Sequence, residues 1–109
     1  AEVCKQSQFA SAFLYTAREI ARSHHEKWNG RGYPDGLVGE AIPLAARIVA
    51  LADVYDALRS PRVYKPAYTH AEAVDIILNQ SPGHFDPNLI AVFNTVHQQF
   101  AQVYDEYAG

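Results

Sequence analysis

Apolar positions in the first third of the chain recur at a helical interval. Phe9, Phe13, Ala17, Ile20 and Ala21 fall on one face of a segment from about Lys5 to Ser23, with no glycine or proline to interrupt it. The pattern then stops. Gly30, Gly32, Pro34, Gly36, Gly39 and Pro43 lie within fourteen residues, which predicts a loop. Pro43 suits the first turn of a second helix, and Leu44, Ile48, Leu51, Ala52, Tyr55 and Leu58 after it form one apolar stripe. Ser60-Pro61 ends that helix, because the residue before a proline avoids the helical region. Thr69-His70-Ala71-Glu72 reads as a capping box opening a third helix through about Leu78, and Pro82-Gly83 follows as a breaker. Asp86 and Pro87 supply a cap and first turn for a last helix, whose core face is Leu89, Val92, Phe93, Val96, Phe100, Val103 and Tyr107. No segment alternates with a period of two between hairpin turns. The expected fold is all-α.

Composition narrows the setting. At 109 residues the chain is one domain or part of one, and its 49% apolar content fits a globular protein. A net charge of −3 and a pI near 5.9 argue against a general polyanion-binding surface, so DNA and RNA are not expected partners. The one cysteine, Cys4, cannot form an internal disulfide. No apolar run reaches membrane-spanning length, and Glu2 and Lys5 do not suit a signal peptide, so a cytoplasmic location is expected. The chain begins with alanine and contains no methionine, which suggests a piece of something longer.

Three segments carry candidate chemistry. His24 and His25 stand together at the end of the first helix, directly before the glycine-rich loop. Neighbours on a helix diverge by about 100°, so two such rings could reach two different metal ions, and neutral imidazole suits zinc, iron or manganese. Taken alone, the pair is more often what a polar helix end carries, since it lacks the ligand spacing of a zinc finger. Asp53 and Asp56 lie three apart on one side of the second helix, beside its apolar stripe. Near a core they would need a metal, a hydrogen bond or an arginine, and Arg47, Arg59 and Arg62 are the candidates. Arg62 and Lys65 follow in a loop, able to meet phosphate as a fork and as a point charge respectively. Histidines, a helical carboxylate and phosphate-seeking cations together are the ingredients of metal-assisted phosphodiester cleavage.

From about Ile20 to Ala67, and again at Gly83-His84-Phe85-Asp86-Pro87, the sequence resembles the HD-GYP subgroup of the HD phosphohydrolase superfamily. The resemblance rests on His-His-Glu-Lys-Trp-Asn-Gly-Arg-Gly-Tyr-Pro from His24 to Pro34 and on Ala-Asp-Val-Tyr-Asp-Ala-Leu from Ala52 to Leu58. It implies an all-α bundle that hydrolyses cyclic di-GMP, or in some members cyclic GMP-AMP, with two or three iron or manganese ions. It assigns metal binding to His24, His25 and Asp53. Substrate contact falls to Arg62 and Lys65, and Asp56 would orient its neighbours. Gly32, Tyr33 and Pro34 would border the substrate cleft or dock a diguanylate cyclase domain. That second role sets a non-catalytic alternative, a cyclic-dinucleotide receptor or docking module, beside the enzyme.

The departures from the family pattern bear on activity. None of the five histidines is followed by aspartate, so the dipeptide that names the family, its lysine and the remaining ligands are expected before Ala1, together with a receiver or sensory domain. Asn29 stands where an aspartate is usual, which is expected to alter the loop's hydrogen bonding. The chain therefore reads as the C-terminal portion of a truncated HD-domain fold, binding metal weakly and nearly inactive alone. Apolar faces uncovered in such a fragment favour self-association, and a homo-oligomer is expected. His84 and His97 read as local or core-edge histidines, and Phe100, Tyr104 and Tyr107 as core or partner contacts.

Overall fold

The structure, a computed structural model, describes residues 2–108, with side chains from 8 to 107. The side chains of Glu2, Cys4 and Lys5, on which two sequence expectations rest, lie outside the described residues. The fold is all-α, as the periodicity predicts. Helix α1 spans Glu2–Ser23, α2 Leu44–Arg59, α3 His70–Asn79 and α4 Pro87–Ala108, with a single 3-10 turn at Gly39–Ala41. No strand occurs among the described residues, only two isolated bridges, Asn29 with Val38 and Arg62 with Lys65. The chain divides into two compact units, residues 1–49 and 50–109.

The second unit has the larger core. Leu51 and Tyr55 from α2, Ala73 and Ile77 from α3, Phe85 from the connecting loop and Phe93 from α4 are buried together, with Leu58, Leu89, Phe100 and Tyr104 packed around them. Burying a side chain such as Phe93, 1% exposed, contributes roughly 1.5–3 kcal/mol, so these few residues hold the three helices together. The helix boundaries follow local chemistry. Thr69 Oγ1 accepts from the Glu72 amide while the Glu72 carboxylate accepts from the Thr69 amide, closing the capping box over α3. Asp86 is buried and accepts from the Asn88 amide at 2.8 Å, starting α4.

In the first unit, Ile42 and Ala46 are the buried apolar residues among those described. The apolar face of α1 is open: Phe9 and Phe13 are largely exposed, as are Leu14 and Tyr15. One expectation is corrected in the second unit, where Val92, Val103 and Tyr107 face outward; the last helix buries a narrower stripe than its pattern suggests.

A histidine pair and its glycine-rich loop

The chemistry of the first unit begins where α1 runs out. His24 Nδ1 lies 3.1 Å from the carbonyls of both Ile20 and Ala21. Carbonyls only accept, so Nδ1 carries a proton; in the neutral ring the lone pair then falls on Nε2, the form in which an imidazole ligates a metal. The His25 ring lies 3.9 Å from that of His24, centroid to centroid, and stacks on Tyr33 at 4.9 Å with 14° between planes. Helix end and loop therefore bring together His24, His25 and Tyr33, three of the residues the sequence singles out.

The loop is held by side-chain and backbone acceptors for its amides and by one ion pair. Glu26, 2% exposed, accepts from the Asp35 amide at 2.7 Å and the Leu37 amide at 2.9 Å with its two carboxylate oxygens. Tyr33 donates its amide to the His25 carbonyl, and Gly39 donates to Trp28. Gly32 shows why the motif requires glycine: a Cβ there would lie 2.4 Å from the Lys27 nitrogen and 2.5 Å from the His25 carbonyl oxygen. Backbone atoms cannot give way as a flexible side chain can. Asn29 accepts from the Arg31 amide through its side-chain oxygen at 2.9 Å, closing a tight local turn. Arg22 clamps the outer end of the loop with two hydrogen bonds to Asp35, at 2.9 and 2.8 Å. This paired guanidinium holds the Asp35 carboxyl below its ordinary range. Sequence reasoning singled out neither Glu26 nor the Arg22–Asp35 pair. The available signal was an acid directly before a loop whose amides need acceptors.

A cleft of about 680 Å³ opens beside this loop, lined by Tyr15, Arg18, Glu19, Ala21, Arg22, His25, Tyr33 and Pro34. In the second unit, Arg62 and Lys65 close a turn on each other through paired backbone hydrogen bonds of 2.9 and 3.2 Å. Both line a smaller cleft of about 220 Å³ with Ser60, Pro66 and Tyr68. Asp53 and Asp56 are exposed on α2, and no ion pair or hydrogen bond to either carboxylate is found among the described residues. The expected pairing with Arg59 is replaced: Arg59 donates to the Tyr55 hydroxyl at 2.6 Å and lies 3.6 Å from Asp105. Because both acids face solvent, burial does not demand a partner for them.

That arginine belongs to a polar chain that sequence reasoning missed. The Tyr55 hydroxyl lies 2.8 Å from His70 Nδ1, and His70 Nε2 lies 3.1 Å from His97 Nδ1. Burial raises the Tyr55 pKa above its ordinary value, partly offset by Arg59. Burial also lowers that of His70, helped by the neighbouring charges of His97 and Arg59.

The donor set can be tested against the metal that the resemblance implies. Among the described residues, no group of three or more histidine, cysteine, aspartate or glutamate side chains is gathered closely enough to hold an ion. His24 and His25 offer two imidazoles, and Asp53 belongs to the other unit. By themselves these residues do not make a metal centre.

Residues 3–89 match the HD domain family, so the chain belongs to it. It is related to cyclic di-GMP phosphodiesterases. It is 56% identical over 93 residues to a cyclic di-GMP phosphodiesterase of Vibrio cholerae, covering 85% of this chain and 19% of that protein. A probable cyclic di-GMP phosphodiesterase of the same organism is 50% identical over 104 residues, covering 95% and 24%. Among solved structures, a cyclic GMP-AMP specific phosphodiesterase of V. cholerae superposes with a TM-score of 0.59 at 34% identity, over 78% of this chain and 22% of that one. The chain thus spans a quarter or less of the length of these relatives. No described helix is long and apolar enough to cross a membrane.

Proposed function

We propose that the chain is the C-terminal part of an HD-GYP domain and that, within the longer protein, it serves in the hydrolysis of cyclic di-GMP or a related cyclic dinucleotide. The observation that carries this reading is the imidazole pair at the end of α1, with His24 Nδ1 engaged by carbonyls and Nε2 left to ligate. His24, His25 and Asp53 would contribute ligands to iron or manganese, the rest coming from sequence beyond these 109 residues. Arg62 and Lys65, on a turn fixed by its own backbone, would hold substrate phosphates. The loop at Gly32, Tyr33 and Pro34 would form one border of the substrate cleft. The names of the relatives, a cyclic di-GMP phosphodiesterase, a probable one and a cyclic GMP-AMP specific phosphodiesterase, support the substrate class.

The test uses the full-length parent protein loaded with iron or manganese. Cyclic di-GMP is expected to be hydrolysed, and His25→Ala or Asp53→Asn to lower the rate by about a hundredfold or more, since even outer-shell changes cost metal sites ~10–100-fold. A chelator should abolish turnover. Unchanged rates in both variants would overturn the assignment.

A second reading has its own support: the cleft at Arg62 and Lys65 has no histidine, aspartate or glutamate in its lining. It could bind a cyclic dinucleotide as a receptor, with the exposed Tyr33 docking a diguanylate cyclase domain. Calorimetry would favour it if metal-free full-length protein binds cyclic di-GMP and never hydrolyses it.

A further inference from the structure

The cleft beside the histidine pair carries a combination of side chains that phosphate binding does not explain. Tyr15, Arg18, Glu19 and Arg22 recur at helical spacing along α1, so one stretch of the helix forms a wall. Tyr33 lines the same space from the loop. His25 stacks on its ring at 4.9 Å, yet the residue remains 61% exposed, so an aromatic surface is left open to a planar group. The two arginines are not equivalent. Arg22 spends its fork on Asp35, in a pair whose charges cancel. Arg18 is exposed and makes no ion pair among the described residues. Beside it stands Glu19, a carboxylate that a pocket built only for phosphate would exclude.

A flat ring, a bare guanidinium and a carboxylate in one cleft match the edge of guanine. The ring N1–H and the N2 amino group are adjacent donors that one carboxylate can accept, while O6 and N7 are acceptors that arginine meets as a fork. Adenine reverses this pattern. It places an acceptor at N1, opposite Glu19, and a donor amino group where guanine has O6. Resting on the phosphodiesterase reading above, we propose that this cleft is a guanine-reading subsite. Tyr33 stacks the base, Glu19 accepts from N1–H and N2, and Arg18 donates to O6 and N7.

The experiment measures steady-state kinetics of the full-length, metal-loaded protein on cyclic di-GMP, cyclic di-AMP and bis(p-nitrophenyl) phosphate, a diester with no base. Glu19→Ala and Arg18→Ala should each raise KM for cyclic di-GMP by about tenfold or more, as expected for losing a hydrogen bond to a charged group. KM for the baseless diester and kcat on all three should stay unchanged. Arg18→Lys should fall between, and Glu19→Gln, which keeps the shape of the side chain, should lose guanine preference without loss of fold. Unchanged KM for cyclic di-GMP in these variants, alongside loss of turnover in His25→Ala, would overturn the subsite and leave the phosphodiesterase reading standing. Equal losses on all three substrates would also overturn it. Failure of the unmodified protein to hydrolyse cyclic di-GMP would sink both.

Discussion

Glu26 and Gly32 do more for the first unit than their size suggests. The carboxylate of Glu26 replaces solvent for two loop amides in a site closed to water, and Gly32 lets that loop approach the end of α1 to backbone contact. Gly32→Ala would drive a Cβ into main-chain atoms at 2.4–2.5 Å. Overpacking of this kind costs about 1–3 kcal/mol, and here the cost falls on the segment that carries Tyr33. Urea unfolding should show a loss in that range, and on the proposed function hydrolysis by the full-length protein should fall in parallel. A variant as stable as the parent would refute the seat described for this glycine. At this scale the sequence was partly legible. Glycine and proline marked the loop, and the adjacent histidines marked its start. Which acceptor would satisfy the loop amides was not legible, because hydrogen bonds nine and eleven residues apart leave no periodic trace.

The helices were the most legible part of the molecule, because each boundary has a local cause. The capping box over α3 was expected from Thr69 and Glu72 and is present with both of its hydrogen bonds. Proline and aspartate mark the start of α4 just as directly. Thr69→Ala should therefore destabilise the protein by about 1 kcal/mol, the usual cost of losing a cap, read as a lower midpoint in thermal unfolding. No change would mean that the helix start is fixed by packing of Ala73 and Ile77 instead. What periodicity could not give was which face of an amphipathic helix is covered. α1 is a regular helix as predicted, yet its phenylalanines are exposed. A one-dimensional pattern records that a face is apolar, not what lies against it. The same limit applies to Asp53, whose position beside an apolar stripe suggested partial burial, whereas the side chain faces solvent.

Across the second unit, the run from Arg59 through Tyr55 and His70 to His97 ties three helices together with polar groups instead of methyls. The two facing ring nitrogens of His70 and His97, 3.1 Å apart, can share only one proton between them. His70 also faces Arg59 and the Tyr55 hydroxyl, with Asp105 the group among the described residues that favours its charged form. Its pKa in the folded protein accordingly lies below the ordinary 6.5, and the unfolded chain binds the extra proton first. Stability is then fully present above that ordinary value and falls as pH drops through the lowered one. Thermal unfolding should show a midpoint that declines on acidification from pH ~7.5 to ~5.5, and His70→Gln should flatten this dependence. An unchanged slope in that variant would assign the effect elsewhere. None of this was legible in the sequence, where His70 and His97 stand twenty-seven residues apart with nothing to link them.

The loop after the histidine pair has one more consequence, for how such a protein could change its diet. Its support is written in main-chain amides, one buried acid, one glycine and the Arg22–Asp35 clamp, while the neighbouring Tyr33 keeps most of its surface free. Tyr33 meets that support through its amide and its stack on His25. A substitution at position 33 would leave the backbone seat in place and change only that stack and the open face, so new preferences could arise there one substitution at a time.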